Sequence, residues 1–311
     1  MVFCGTPQFA VPSLKRLLSE SEFEILGVFT QPDRPKGRGH EVAVSPVKEV
    51  ARAAGAAIHQ PERIRTPENE QTLHKLAPDV IVIIAYGQII PGRLLPIPRL
   101  GWINLHASLL PKYRGAAPIA WAIANGESVT GNTTMRIDAG MDTGELLLQQ
   151  ELHIGPEETA PELAVRLSEA GAGLMVETLR GLEGGTLRGL AQDHSAASSA
   201  PILRREDGRI DWSKPAQEIY NRMRGFAPWP GTYTEFRGQS CHLWGKPVRR
   251  DVTSHVPGSL MVERGRVFVT CGAATVLEIL HVKVEGRKQV TAAEFANGAR
   301  LKAGEGLGGS S

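Results

Sequence analysis

Asn104 and His106 stand two residues apart at the end of a short apolar run. On an extended chain their side chains project from one face, while Leu105 between them turns into the core. An amide donor and an imidazole projecting together suit the stabilisation of an oxyanion on a tetrahedral carbon. Asp142 lies in the Gly-rich turn Asp138-Ala-Gly-Met-Asp-Thr-Gly144, and a carboxylate on such a turn can reach the histidine and orient it. No serine or cysteine sits beside His106 as a nucleophile. Ser108 would share its face only if the strand ran on, and the Leu-Leu-Pro that follows ends it. Direct group transfer is therefore expected ahead of a two-step acyl-enzyme. Spacing alone leaves a hydrogen-bonded structural histidine and a plain turn as alternatives.

Such residues need a scaffold that delivers them to one edge. Up to about residue 182 the chain alternates strand and helix patterns: Val2–Cys4, Glu24–Phe29, the β-branched run Val80–Ile84, Trp102–Leu105, Thr133–Ile137 and Leu146–His153 as strands, with helical faces over Gln8–Ser19, Pro46–Ala54, Pro118–Ala124 and Thr159–Leu182. This alternation predicts an α/β fold, an open and mostly parallel sheet with helices on both faces. In such sheets ligands bind at the carboxyl ends of the strands, where the polar residues after Leu105 sit. Composition shifts to Gly, Ser and Ala after residue 183, as in a linker. Short apolar-polar alternations follow and predict a small β-barrel or sandwich. The expected division is 1–183 catalytic domain, 184–205 linker, 206–303 C-terminal β-barrel and 304–311 flexible tail.

Two domains fit the 311 residues. No apolar run approaches the roughly 20 residues of a membrane-spanning helix. The N-terminus has neither a basic region nor a long apolar core, so no leader is read and a cytoplasmic location is expected. Cys4, Cys241 and Cys271 have no metal-ligand spacing, and their odd number suits a reducing compartment. No metal is expected. Residues 1–200 hold 18 Lys and Arg against 22 Asp and Glu, a balance of −4, while residues 201–311 hold 17 against 11, a balance of +6. A basic C-terminal part points to an anionic partner such as nucleic acid, with surface charge for solubility as the alternative. The loop Gln31–Val44 sets Arg34, Lys36, Arg38 and His40 among glycines and a proline, a loop able to contact phosphates. Neither a P-loop nor a full GxGxxG is present, which disfavours nucleotide triphosphate or dinucleotide use.

The stretch NLHASLLPKYRGAAP at 104–118, with DAGMDTG at 138–144, closely resembles the paired signature of the 10-formyltetrahydrofolate-dependent formyltransferases. Three further segments, FCGTPQFAVPSL at 3–14, FTQPDRPKGRG at 29–39 and EDGRIDWSKPAQEIYNRMRGFAPWPGTYT at 206–234, resemble the members that act on initiator methionyl-tRNA. The resemblance implies a Rossmann-like catalytic domain and an OB-like C-terminal domain. It implies 10-formyltetrahydrofolate as formyl donor, methionyl-tRNA as partner, a monomer, and Asn104, His106 and Asp142 as the catalytic triad. Folate would lie across Tyr86, Gly87, Gln88 and Ile89, against Ser108, Leu109, Leu110 and Pro111, and over Asp138 and Gly140. Arg38 would contact the tRNA acceptor stem, with Lys36, Arg34, Arg204 and Arg205 as further tRNA contacts. Asn132 stands where the family usually has an apolar residue, and Ser199–Leu203 lacks the Tyr and Lys often found there. A small amine acceptor such as an amino sugar nucleotide, water as acceptor, or an inactive RNA-binding scaffold are the competing functions.

Overall fold

The computed structural model describes residues 1–36, 41–251, 256–302 and 305–308. In chain order the first elements are β1 (Val2–Gly5), α1 (Val11–Ser19), β2 (Gly27–Phe29), β3 (Arg34–Lys36), β4 (Glu41–Ala43), α2 (Pro46–Ala53), β5 (Ile58–His59), α3 (Pro67–Leu76), β6 (Ile81–Ile84), β7 (Trp102–His106), α4 (Pro118–Ala124), β8 (Val129–Arg136), β9 (Leu146–His153) and α5 (Ala160–Glu183). There follow α6 (Ala216–Gly225), β10 (Tyr233–Phe236), β11 (Gln239–Val248), β12 (Leu260–Glu263), β13 (Arg266–Cys271), β14 (Thr275–Val284), β15 (Val290–Thr291) and α7 (Ala292–Ala299). Local chemistry sets several of these boundaries. Ser45 caps α2 by accepting from Lys48 N–H, with Pro46 in the first turn. Thr291 and Glu294 form a reciprocal capping box at the start of α7.

The chain divides into two compact units. The first comprises Met1–Pro118, Val129–His153 and Glu162–Pro201; the second comprises Ile119–Ser128, Ile154–Pro161 and Ile202–Ser311. The first unit is built on a seven-stranded sheet in the order β5-β2-β1-β6-β7-β8-β9. The five strands from β5 to β7 run parallel, and β8 and β9 add an antiparallel edge. Strand order steps outward from β1 in both directions, which places a topological switch point beside β1 and β6.

Both faces of the sheet are covered, which explains the uninterrupted apolar run of β6. Val82 and Ile84 join Phe3, Ile103, Leu105 and the apolar face of α5 in one core. Ile81 and Ile83 join Val2, Cys4, Phe29 and Trp102 in another. Gly171 on α5 lets the helix approach β7: a Cβ there would stand 2.5 Å from Leu105 Cδ2 and 3.3 Å from Asn132 Nδ2. Asn132 is fully buried in β8 and donates from Nδ2 to Leu167 O of α5 at 2.8 Å. Its Oδ1 has no partner among the described residues.

The second unit has its own core around Trp212, Ile219, Phe236, Leu243, Val269, Ile279 and Phe295. Its sheet is antiparallel, in the order β10-β11-β14-β13-β12 with β15 on β14. The sequence alternation leaves a small barrel or a sandwich open; among the described residues no pairing joins β10 to β12, so the sheet is an open path. Of the Gly-rich tail read as flexible, residues 305–308 are ordered onto this sheet. Leu260 N–H donates to Glu305 O at 2.7 Å, and Leu307 is buried in the unit's core. No helix among the described residues is long and apolar enough to cross a membrane.

Candidate active site

Strand β7 sorts its side chains by the two-residue period. Ile103 and Leu105 pack into one core, and Trp102 on the opposite face packs into the other. Asn104 and His106 continue the Trp102 face toward the carboxyl end of the strand. Asn104 is half-buried, and its side-chain amide has no hydrogen-bond partner among the described residues. His106 is buried at 6% exposure. Its Nε2 lies 2.8 Å from Tyr113 O. A carbonyl only accepts, so Nε2 carries the hydrogen and the ring is anchored at that edge. Nδ1 lies 3.6 Å from Asp142 Oδ2, a distance of charge contact that is too long for a hydrogen bond. Asp142 Oδ2 instead accepts the Gly115 N–H at 2.8 Å. The Nδ1 edge of His106 is therefore the one left for a reacting group.

The turns that deliver these partners are tightly specified. Gly115 has φ +122°, and a Cβ there would stand 2.6 Å from Ala200 O, so only glycine fits while its N–H reaches Asp142. Asp142 itself has φ +54°, a conformation that aspartate tolerates better than most residues. The loop after β7 is tied to the neighbouring strands through Thr133. Its Oγ1 donates to Ser108 O at 2.6 Å and accepts from Leu110 N at 3.1 Å and Gln149 Nε2 at 3.0 Å.

The structure brings Asn104, His106 and Asp142 to one end of β7 and uses several predicted contacts structurally. Ser108 is fully buried and donates to Lys112 O at 2.7 Å. Leu109 packs against Gly131, Leu110 is buried and Pro111 is half-buried beside it. Tyr86 is buried with its hydroxyl unpartnered among the described residues, and burial pushes that phenol well above its ordinary range. Its carbonyl already accepts from Thr6 Oγ1 at 3.2 Å and Gln31 Nε2 at 3.1 Å. Gln88 accepts from Ile64 N at 2.6 Å and donates to Pro61 O at 3.0 Å, and Gly87 turns the chain at φ +82°. Asp138 Oδ1 accepts from Gly140 N at 2.9 Å and Thr143 Oγ1 at 2.7 Å, closing its own turn. Ile89 is 87% exposed, and Met141 in the Asp142 turn is 70% exposed. Sequence spacing did not single out Met141, Tyr113 or Gly115. Met141 carried a usable signal, a large apolar residue inside a Gly/Asp turn.

A profile described as formyl transferase matches residues 1–179, and one described as the formyl transferase C-terminal domain matches residues 202–300. The methionyl-tRNA formyltransferase of Solibacter usitatus is 51% identical over 308 residues, 99% of this chain and 98% of the relative. That of Acidobacterium capsulatum is 52% identical over 302 residues, 97% of each chain. The chain belongs to the methionyl-tRNA formyltransferase family. Among solved structures, the fold is shared with the sugar 3N-formyl transferase WlaRD, solved in the presence of dTDP and 5-N-formyl-THF, at TM-score 0.65 and 18% identity over 92% of this chain and 98% of that one. It is shared equally with an N-formyltransferase from Helicobacter canadensis in complex with folinic acid and dTDP-3-aminofucose, at TM-score 0.65 and 17% identity over 89% and 97%.

The residues predicted to meet tRNA are placed unevenly. Arg34 is exposed on β3, whose backbone extends through Lys36. Arg38 lies outside the described residues. Arg204 and Arg205 are exposed in the second unit, with the Arg205 guanidinium 5.7 Å from the Tyr233 ring centroid. No group of three or more potential metal ligands occurs among the described residues.

Proposed function

We propose that this family member formylates methionyl-tRNA by direct amine attack at the site built on Asn104, His106 and Asp142. The reaction moves the formyl group of 10-formyltetrahydrofolate to the α-amino group of the methionyl ester, giving N-formylmethionyl-tRNA for translation initiation in the cytoplasm. The observation that carries the site assignment is the pairing of an unpartnered Asn104 amide with a His106 ring anchored at Nε2 and open at Nδ1. A free α-amino group titrates near 7.7–8.0, so the nucleophile needs little help from a base at neutral pH. The barrier lies in the charge that develops on the formyl oxygen and in expelling N10 of the folate.

Asn104 donates to that oxygen. With Nε2–H fixed by Tyr113, Nδ1 is the atom of His106 that gains and loses the mobile proton. It takes the proton shed by the attacking amine and returns it toward N10 as the tetrahedral adduct collapses. Protonated at Nδ1, the ring also donates to the oxyanion, and the Asp142 carboxylate stabilises the imidazolium. Such preorganised donors are worth about 3–4 kcal/mol of barrier each.

The exposed Ile89 and Met141 offer apolar surface for the flat rings of the folate, alongside the Asp138–Asp142 turn. The phosphate backbone of tRNA is taken by basic residues: Arg34, Lys36 and Arg38 of the loop after β2, and Arg204 and Arg205. The protein works as a monomer on this reading. The test is formyl transfer by the whole chain to methionyl-tRNA, to an amino sugar nucleotide and to water. Methionyl-tRNA should be by far the best acceptor, and a better sugar-nucleotide acceptor would overturn the assignment.

A further inference from the structure

We infer that Gln192 is a positioning residue of this site, locking the turn that carries Asp142 onto the turn that anchors His106. The inference rests on the roles given to His106 and Asp142 above. Gln192 lies in the Gly/Ser/Ala-rich stretch whose composition reads as a linker, yet it is only 6% exposed. Both ends of its amide are used. Nε2 donates to Asp142 O at 2.9 Å and to Gly144 O at 2.7 Å. Oε1 accepts from Arg114 Nε at 3.1 Å and Nη2 at 2.6 Å. Two donors and two lone pairs are the full capacity of a side-chain amide, so its orientation is fixed.

The placement of Arg114 gives these bonds their meaning. Its chain neighbours are Tyr113, whose carbonyl holds His106 Nε2, and Gly115, whose N–H holds Asp142 Oδ2. Gln192, Arg114, Gly115 and Asp142 therefore form a closed ring of contacts. The segment carrying Gln192 is pinned on both sides of it. Leu190 exchanges two 2.8 Å backbone bonds with Leu146. Ser198 Oγ accepts the Tyr113 N–H at 2.9 Å and Ser198 O accepts the Arg114 N–H at 2.8 Å. A residue that only filled space here would not need four directed hydrogen bonds. What the ring fixes is the Asp142 backbone, in the left-handed region, and with it the 3.6 Å separation from His106 Nδ1.

The test is steady-state formylation of methionyl-tRNA by full-length Gln192→Met, Gln192→Glu and Asp142→Ala and the two double variants, with thermal melts to confirm folding. Gln192→Met should lower kcat on the order of 10–100-fold, as expected when a reacting group shifts by about 1 Å. Both Michaelis constants should stay within about twofold, because Gln192 is buried and its amide is fully used within the protein. Gln192→Glu keeps volume and the Arg114 contact but loses both donors to the Asp142 turn, so its kcat should fall by a similar factor. On the Asp142→Ala background either change should cost less than about twofold more, the mark of two residues acting through one group. A folded Gln192 variant with wild-type kcat, or a loss that multiplies fully with that of Asp142→Ala, overturns the inference. Wild-type turnover in Asp142→Ala overturns the catalytic reading, and this inference with it.

Discussion

Gly171 and Gly173 lie two residues apart on α5, and replacing each with alanine should have opposite effects. Alanine is favoured over glycine inside a helix by about 1 kcal/mol. At Gly173, which is exposed, an added Cβ meets nothing within 4 Å, so that gain should appear undiminished. At Gly171 the same methyl would stand 2.5 Å from Leu105 Cδ2 and 3.2 Å from Leu105 Cδ1. Ordinary contact needs about 3.5–4.0 Å, so helix and strand must separate by about 1 Å or Leu105 must leave its rotamer. Leu105 is only 3% exposed, packed in the core between the sheet and α5. Overpacking of this kind costs about 1–3 kcal/mol, so Gly171→Ala should be about 1–3 kcal/mol less stable than Gly173→Ala. Leu105 is flanked by Asn104 and His106, so a shifted β7 also moves both of them. Turnover should drop in Gly171→Ala by up to about 100-fold and stay at the wild-type level in Gly173→Ala. Chemical denaturation and formylation kinetics on the two variants give both readouts. A Gly171→Ala variant as stable as Gly173→Ala would refute the packing argument, and one that is destabilised but fully active would refute the link from α5 to the site.

Asn104→Ala, His106→Ala and Asp142→Ala should each lower kcat by about 10²–10³-fold with the fold intact. Combined losses should fall far short of the product if, as proposed, the three act on one transition state; full multiplication in a folded triple variant would count against a shared role. All three cysteines are buried, and burial pushes Cys241 up to about 11 and Cys271 up to about 12, with Cys4 raised further. A colorimetric thiol titration should therefore find none reacting quickly in the native protein and three after denaturation. The Arg266 guanidinium, paired with Glu278 at 2.6 Å, holds that carboxyl below the usual glutamate range. The stability this contributes is present above about 4.3, the unfolded value, and is lost as pH falls through the folded value. Arg266→Met should thus flatten the acid limb of a stability–pH curve, and an unchanged limb would show that the pair contributes nothing there.

Much of the scaffold was legible because the signals were local. The β-branched run of β6 and the 104–118 stretch each declared a strand end and a polar turn without help from distant residues. What escaped was set by long-range contact. Helix α3 carries one fully buried residue, Leu73, in Pro67–Leu76, too weak an apolar face to register as a period. Strand β8 begins at Val129 rather than Thr133, because Gly131 and Asn132 pair with Glu151 and Gln150 of β9 and Asn132 also bonds to α5, not because of a β-like composition. The choice between a barrel and an open sheet escaped for a related reason. Alternating strands state which face is buried, but closure depends on a pairing between β10 and β12 that no local pattern encodes.

The segment 184–200 shows most clearly how composition can mislead. Gly, Ser and Ala are the residues of a flexible linker, and they are also the residues that let one backbone lie directly on another. A Cβ on Gly189 would stand 2.2 Å from Glu145 Oε2, and Ala200 donates its N–H to Arg114 O and accepts from Ala117 N–H. Small side chains here permit close packing against the turns of the site rather than freedom from it. The two readings could have been separated by Gln192, since a flexible linker gives no reason to bury a polar amide. Once buried, that amide must find partners, and the carbonyls and guanidinium it finds belong to the turns that hold Asp142 and His106. The Gly/Ser/Ala stretch is thus packed onto the turns that carry Asp142 and anchor His106, and on the proposed function substitutions in it should be judged by turnover before they are judged by flexibility.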